Sequence, residues 1–368
     1  MKQPPSFVDS QHPQHVCCLH KALYGLKQDP RAWFQRLNSF LHSQGFFHSR
    51  SDASLFIYQS STYSLYVLVY VNDLIVTGSN FAAIHQFIDT LYATFASQKL
   101  GDLNYFLGIE VIRNGSHLCL SQSRYASDLL KKFKMDLCKP SPTPFLSSTR
   151  LSAHDGDPLS NPETYRSMVG GLQYLTLSRL DITYAVNQVC QYMHNLKTTH
   201  LQAVKRIYRY IKGTVAHGLL FRSSTDFSLR GFFDADWAGF VDDRRSTSGA
   251  CIFLSLNLLT WTAKKQSTVS RSSSKAEYHA LATTAAELRW FCYLFREIGL
   301  PLYTPPCIYV DNVSALQMAT NPVFHARTRY IEIDYHFVRE LLAQGVLATP
   351  AYAFTTSNCR CLHQRTIS

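Results

Sequence analysis

The sequence predicts an α+β protein with an N-terminal α+β unit, a helical middle and a C-terminal mixed sheet carrying helices on its faces. Three observations predict it. The apolar run Leu65 to Val69 leads into YVNDLIVTG (Tyr70 to Gly78), so two β-rich segments meet at an Asn-Asp pair, as in a hairpin with its polar residues at the turn. Helical periodicity dominates from Pro162 to Lys212. From Leu229 the order strand, strand, strand, long helix, strand, short helix, helix describes a mixed sheet.

Asp29-Pro30 opens the first helix, with an N-cap, proline at the first helical position, and a stripe of Phe34, Leu37 and Leu41. The hairpin follows, then a helix from about Phe81 to Ala96. Leu103 to Val111 (containing NYFLGIEV) reads as one strand, Arg113-Asn114-Gly115 as a turn and LCLSQ as the returning strand. After Met135, KPSPTPFLSSTRLSAHDGDP is rich in Pro and Ser and reads as a linker or wrapped loop. In HLQAVKRIYRYIK, Lys205, Arg206, Arg209 and Lys212 alternate with aromatics, as on a surface that tracks a phosphate backbone; an amphipathic helix with a solvated basic face explains the same pattern. In the last unit LRGFFDADW, CIFL and LLTWTAKK are strands, Lys275 to Ile298 is the long helix, IYVDN is a strand, and the final helix starts near Tyr335.

With 368 residues, 46% of them hydrophobic, the chain has ample material for packed cores. No apolar run approaches the roughly 18 residues that span a bilayer. The start MKQPPSFVDS has prolines where a signal peptide needs an apolar segment, so the expected location is intracellular, cytoplasmic or nuclear. Ten cysteines lack the paired spacing of a zinc site; Cys17-Cys18 and Cys359-x-Cys361 are the closest groupings. A net charge of +11 favours an anionic partner, nucleic acid above all.

The acids of the last unit carry the chemistry. Asp234 follows the strand residues Gly231-Phe232-Phe233, and Asp311 ends Ile308-Tyr309-Val310, where open α/β sheets place ligand sites. Glu277 shares a helix face with Leu281, Leu288, Phe291 and Phe295, which points its carboxylate at the sheet. Each acid has a plainer role open to it. Ser274-Lys275-Ala276-Glu277 is a capping box, Asp334 is a good N-cap for the last helix, and Asp236 and Asp311 suit loop edges. Together, acids on one sheet edge suit two divalent ions about 4 Å apart that activate water against a phosphodiester.

The chain resembles the polymerase and ribonuclease H end of copia-type retrotransposon polyproteins over nearly its whole length. KALYGLKQDPRAWF, YVNDLIVTG, YFLGIEV, YRSMVGGLQYLTLSRLDITYAV, RYIKGT, FFDADWAG, RRSTSGACIFL, AKKQSTVSRSSSKAEYHAL, VDNVSAL and NPVFHARTRYIEIDYHFVRE carry the resemblance. It implies a truncated reverse-transcriptase palm over 1–140, a linker and helical connection over 141–222, a ribonuclease H-like domain over 223–345, and a divergent or frameshifted tail over 346–368. YVND stands where the family has Tyr-x-Asp-Asp: Asp73 matches the second acid, while Asn72 offers a neutral oxygen in place of the first and weakens cation binding. The family's other polymerase acid belongs to a motif ahead of KALYGLKQ that the preceding residues do not contain. An inactive polymerase half is therefore expected.

In the ribonuclease H half the resemblance assigns metal-site roles to Asp234, Glu277, Asp311 and Asp334, with Glu332 competing for the fourth place. It implies two Mg2+ ions, with Mn2+ as substitute, and no small-molecule cofactor beyond the metal. It also implies contact of Arg244, Arg245, Ser246 and Thr247 with the phosphates of an RNA–DNA hybrid, and a mobile-loop role in product release for His325, for which a plain exposed loop histidine is the favoured alternative. The expected activity is hybrid-directed RNA cleavage; the alternative is a non-catalytic nucleic-acid-binding remnant.

Overall fold

The computed structural model describes residues 2–18, 29–71, 73–95, 98–146, 148, 150–300, 302–321 and 332–350. It divides into two compact units, Met1–Lys99 and Leu100–Ser368. Asn72, His325, Cys359 and Cys361 lie outside the described residues.

In the first unit, helix α1 (Asp29–Ser43) precedes strands β1 (Phe47–His48), β2 (Leu55–Gln59), β3 (Ser64–Tyr70) and β4 (Asp73–Gly78), and helix α2 (Phe81–Thr94) closes it. The strands form an antiparallel meander in chain order. In β3 burial alternates, and Leu65, Val67 and Val69 meet Leu37 and Leu41 of α1 and Phe87 and Leu91 of α2 in one core. The β3–β4 turn differs from the sequence reading. Tyr70 pairs with Asp73, so Asp73 is the first residue of the returning strand rather than a turn residue, and Val71 takes the left-handed conformation with φ 50°.

The second unit opens with β5 (Tyr105–Phe106), β6 (Ile109–Asn114) and β7 (His117–Ser121), then α3 (Ser123–Lys132), α4 (Pro162–Leu175), α5 (Leu180–Cys190), α6 (Thr198–Gly213) and β8 (Gly218–Arg222). The expected single strand over NYFLGIEV is two. Phe106 pairs with Ile109, and the chain reverses over Leu107 and Gly108, both at positive φ as a two-residue hairpin demands. The Tyr174 hydroxyl donates to the Leu107 carbonyl and holds the turn against α4, a tertiary contact that strand periodicity does not reveal. Strand β8, absent from the sequence reading, pairs with β7. Helices α3 to α6 share a core that includes Leu129, Tyr165, Leu172, Ile182, Val204 and Tyr208, and Leu151 of the wrapped segment joins it.

Strands β9 (Leu229–Asp236), β10 (Thr247–Leu254) and β11 (Asn257–Lys265), helix α7 (Ser273–Glu297), strand β12 (Cys307–Tyr309) and helices α8 (Val313–Thr320) and α9 (Glu332–Ala343) complete the unit. The sheet order is β11-β10-β9-β12, with the first three antiparallel and β12 parallel to β9. This is the expected mixed sheet. Burial alternates along β9, whose Leu229, Phe233 and Ala235 pack in one core with Leu281, Leu288 and Phe295 of α7. Gly231 permits the close approach, since a Cβ there would lie 2.9 Å from Leu288 Cδ1 and 3.0 Å from Thr284 Cγ2. Among the described residues no helix is long and apolar enough to cross a membrane.

Candidate active site

Strand β12 ends at Tyr309, opposite Phe232, so β9 runs on past its neighbour toward Asp234 and Asp236. The Ala235 amide donates to Glu277 Oε1 at 3.4 Å, which brings the α7 carboxylate to the end of β9. Asp311 lies two residues beyond β12, and Asn312 then caps α8 by accepting from the Ala315 amide at 3.0 Å. Three elements distant in sequence thus deliver Asp234, Glu277 and Asp311 to one neighbourhood.

Glu277 is 7% exposed, and among the described residues its Oε2 has no hydrogen-bond partner. Burial, then the charges of Asp234 and Asp311, push its carboxyl up to about 8. Asp234 lies close enough to share a proton with it, which would give the orphaned oxygen a partner. Burial and Asp234 also raise the Asp311 carboxyl. Carboxylates crowded this way relieve their repulsion by taking up protons or by holding a cation. An all-oxygen set suits a hard divalent ion such as Mg2+, although among the described residues no three His, Cys, Asp or Glu side chains close on a single ion.

The capping role weighed for Glu277 is corrected. Ser272, first of three consecutive serines, is the N-cap and accepts from the Lys275 amide at 3.4 Å, which leaves Glu277 past the third helical position that a capping box needs. Asp334 is likewise inside the first turn of α9, not before it, and its Oδ2 accepts from His279 Nδ1 at 2.5 Å. The structure does not bring Asp334 into the group of charges that act on Glu277. Glu332 is exposed as the first residue of α9, and Asp73 is exposed at the start of β4 in the other unit. His279, two residues beyond Glu277, escaped the sequence reading because its partner stands in a later helix.

Of the basic residues, Arg244 is exposed with φ 59° in the β9–β10 connection. Arg245 pairs with Asp243 at 3.6 Å, and Lys265 reaches the same carboxylate at 2.7 Å. Ser246 is buried and accepts from the Ala238 amide at 3.0 Å, while the Thr247 amide donates to Asp236 Oδ1, so both shape the connection. On α6, Lys205 and Lys212 are exposed. Arg206 instead donates to Thr143 Oγ1 at 2.8 Å and Arg209 to the Lys139 carbonyl at 2.7 Å, lacing the proline-rich segment to the helix.

A family profile described as reverse transcriptase (RNA-dependent DNA polymerase) matches residues 1–147. The retrovirus-related Pol polyprotein from transposon RE1 of Arabidopsis thaliana is 46% identical over 94% of this chain and 24% of its own length. The uncharacterized mitochondrial protein AtMg00810 of the same plant is 46% identical over 61% of this chain and 94% of its own. Among solved structures, the foamy viral protease-reverse transcriptase in complex with RNA/DNA hybrid is 11% identical, with a TM-score of 0.47, over 94% of this chain and 40% of that one. The chain therefore spans about a quarter of the length of the Pol polyprotein it matches. With the ordered motifs, the reverse-transcriptase match and the identity to Pol over nearly all its residues, the chain belongs to the family of copia-type retrotransposon Pol polyproteins.

Proposed function

We propose that the ribonuclease H-like half, residues 223–345, cleaves the RNA strand of RNA–DNA hybrids, and that the palm half, residues 1–140, no longer polymerises. The observation that carries the first part is Glu277, a buried carboxylate with an orphaned oxygen pressed against Asp234 and Asp311. Asp234, Glu277 and Asp311 would hold Mg2+, or Mn2+ in its place, with Asp334 or Glu332 as a fourth ligand. Two ions bound there would supply a hydroxide nucleophile and neutralise charge on the phosphate under attack.

The chain's own residues do the positioning. Asp234 sits on a strand that is hydrogen-bonded on both sides up to Phe232, which fixes the direction of its carboxylate. Glu277 is held by the Ala235 amide. Arg244 and Arg245 would contact the phosphate backbone, as would Lys205 and Lys212, which are exposed on α6. Selectivity for the hybrid would come from its A-form shape and its 2′-hydroxyls.

On the palm side, Asp73 stands beside Asn72, so the hairpin offers one carboxylate where nucleotide addition needs two. A second reading, a non-catalytic nucleic-acid-binding protein, is favoured by one observation: among the described residues the acids converge without closing on an ion. Incubation of the full chain with an end-labelled RNA in a DNA hybrid separates them. The first reading expects cut RNA with Mg2+, none with EDTA, and intact single-stranded RNA throughout. Binding without cutting at any Mg2+ or Mn2+ concentration supports the second and overturns the first.

A further inference from the structure

The hydrogen-bond ladder between β9 and β10 stops at Asp236 and Thr247, which leaves residues 237–246 to be held largely by side chains. Trp237 Nε1 donates to the Ser270 carbonyl at 3.0 Å and joins the start of this connection to the segment leading into α7. Its middle is held from the helical part. Phe240 is buried in the core shared by α3 to α6, where its ring stacks on Tyr192 at 5.6 Å. Two residues on, both carboxylate oxygens of Asp242 accept from the wrapped segment, at 2.7 Å from Ser152 Oγ and at 2.9 Å from the Ala153 amide. Those donors are themselves fixed. The Leu151 carbonyl accepts from the Tyr192 hydroxyl at 2.7 Å, and the Ser152 carbonyl from His200 Nε2 at 2.9 Å.

Between these anchors and β10 the chain closes a turn. The Phe240 amide donates to the Arg245 carbonyl at 3.1 Å, and the Arg244 amide to the Phe240 carbonyl at 2.9 Å. Arg244 takes φ 59°, a conformation that a residue with a side chain keeps only where its surroundings impose it. Phe240 and Asp242 lie inside the same turn and tie it down. The two arginines leave it differently. Arg245 pairs with Asp243, which Lys265 also reaches at 2.7 Å, whereas Arg244 is exposed. The direction of Arg244 is therefore set by a turn whose fixed points are in the helical part.

We infer that Asp242 is a positioning residue for hybrid binding: by gripping Ser152 and Ala153 it keeps the turn in the form that presents Arg244 to the phosphate backbone. The wrapped segment, 90 residues earlier in the chain, thereby takes part in holding the substrate. The inference rests on the hybrid-cleavage reading and deepens it. By charge alone an acid here opposes an anionic ligand. The two hydrogen bonds that Asp242 accepts give it the opposite effect, because they act through Arg244.

The test is a double-mutant cycle on hybrid binding, measured by fluorescence anisotropy in the full chain with Asp234→Asn to silence cleavage. Arg244→Ala should lower the log-log salt slope by about one, the share of one phosphate contact. Asp242→Asn and Ser152→Ala should each weaken binding roughly three- to tenfold and remove much of the same slope. Neither should weaken binding further when combined with Arg244→Ala. Charge alone predicts tighter binding by Asp242→Asn, and a general loosening of the fold predicts a loss that persists beside Arg244→Ala. Tighter or unchanged binding by Asp242→Asn, or an additive loss in the double variant, overturns the inference and leaves the cleavage reading intact. If the chain with Asp234 intact binds hybrid but cuts none in Mg2+, the cleavage reading falls, and the cycle still decides the role of Asp242 in binding.

Discussion

The two places where this chain gathers acids differ in one respect that decides their chemistry. At the β3–β4 hairpin Asp73 is exposed at the start of a strand, with an amide residue before it in sequence. At the end of β9, Glu277 is buried with an orphaned oxygen, and Asp234 and Asp311 press on it from two other elements. The hairpin contributes two adjacent positions, and only one of them is an acid. A sheet edge collects acids from a strand, a helix and a strand–helix junction, so it retains its charge density when any neighbouring position drifts. Buried, mutually repelling carboxylates are costly to keep without a task, whereas a lone exposed acid costs nothing.

The largest expected effects separate these two places. Asp234→Asn and Asp311→Asn should each lower Mg2+-dependent hybrid cleavage by orders of magnitude, read as the rate of RNA cutting at saturating hybrid. Asp73→Asn should leave that rate unchanged. In a primer-extension assay the 368-residue chain should add no nucleotide. Asn72→Asp should not restore synthesis, and templated extension by either protein would erase the contrast between the two sites.

A smaller effect sharpens the comparison through pH. The Glu277 carboxyl is pushed up to about 8 in the fold, against about 4.5 for an ordinary glutamate. A raised folded pKa means the native state holds a proton that the unfolded chain has released, so its stabilisation is complete below about 4.5 and is lost as pH rises to about 8. In EDTA the melting temperature should therefore fall by several degrees across that window. Glu277→Gln should flatten the fall, and added Mg2+ at pH 8 should reverse it in the parent. A parent whose metal-free melting temperature is flat over this range would mean the acids do not repel one another.

The smallest effects concern the cations, where exposure again sorts the roles. Lys205→Ala with Lys212→Ala should flatten the salt dependence of hybrid binding by roughly one log-log unit for each phosphate that the two lysines neutralise. Arg206→Ala and Arg209→Ala should instead lower the melting temperature by a few degrees, since each removes a hydrogen bond to the Lys139–Thr143 segment worth about 1–2 kcal/mol. A salt slope that responds only to the arginines would reverse the assignment.

The order of elements was legible because periodicity and turn residues are local. The strand–strand–strand–helix–strand pattern after Leu229 and the helices after Pro162 appear where those signals place them. What escaped depended on distant partners. The Leu107-Gly108 turn is held by Tyr174, β8 exists through β7, and Arg206 and Arg209 are engaged by the wrapped segment through Thr143 and Lys139. In the site, the face shared by Glu277, Leu281 and Leu288 was readable, as was the place of Asp311 at a strand end. The pairing of His279 with Asp334 and the hold of Asp242 on Ser152 were not, since no spacing within one element encodes a contact between two.

The most direct measurement is hybrid cleavage by Glu277→Gln beside the parent in Mg2+, with melting temperatures taken on the same samples. Gln keeps the shape and the acceptor for the Ala235 amide but removes the charge. The account expects cleavage to fall by orders of magnitude while the melting temperature stays within a few degrees of the parent or rises. A variant that cuts hybrid at the parent's rate would contradict it, because Glu277 would then be a buried acid with no part in holding metal.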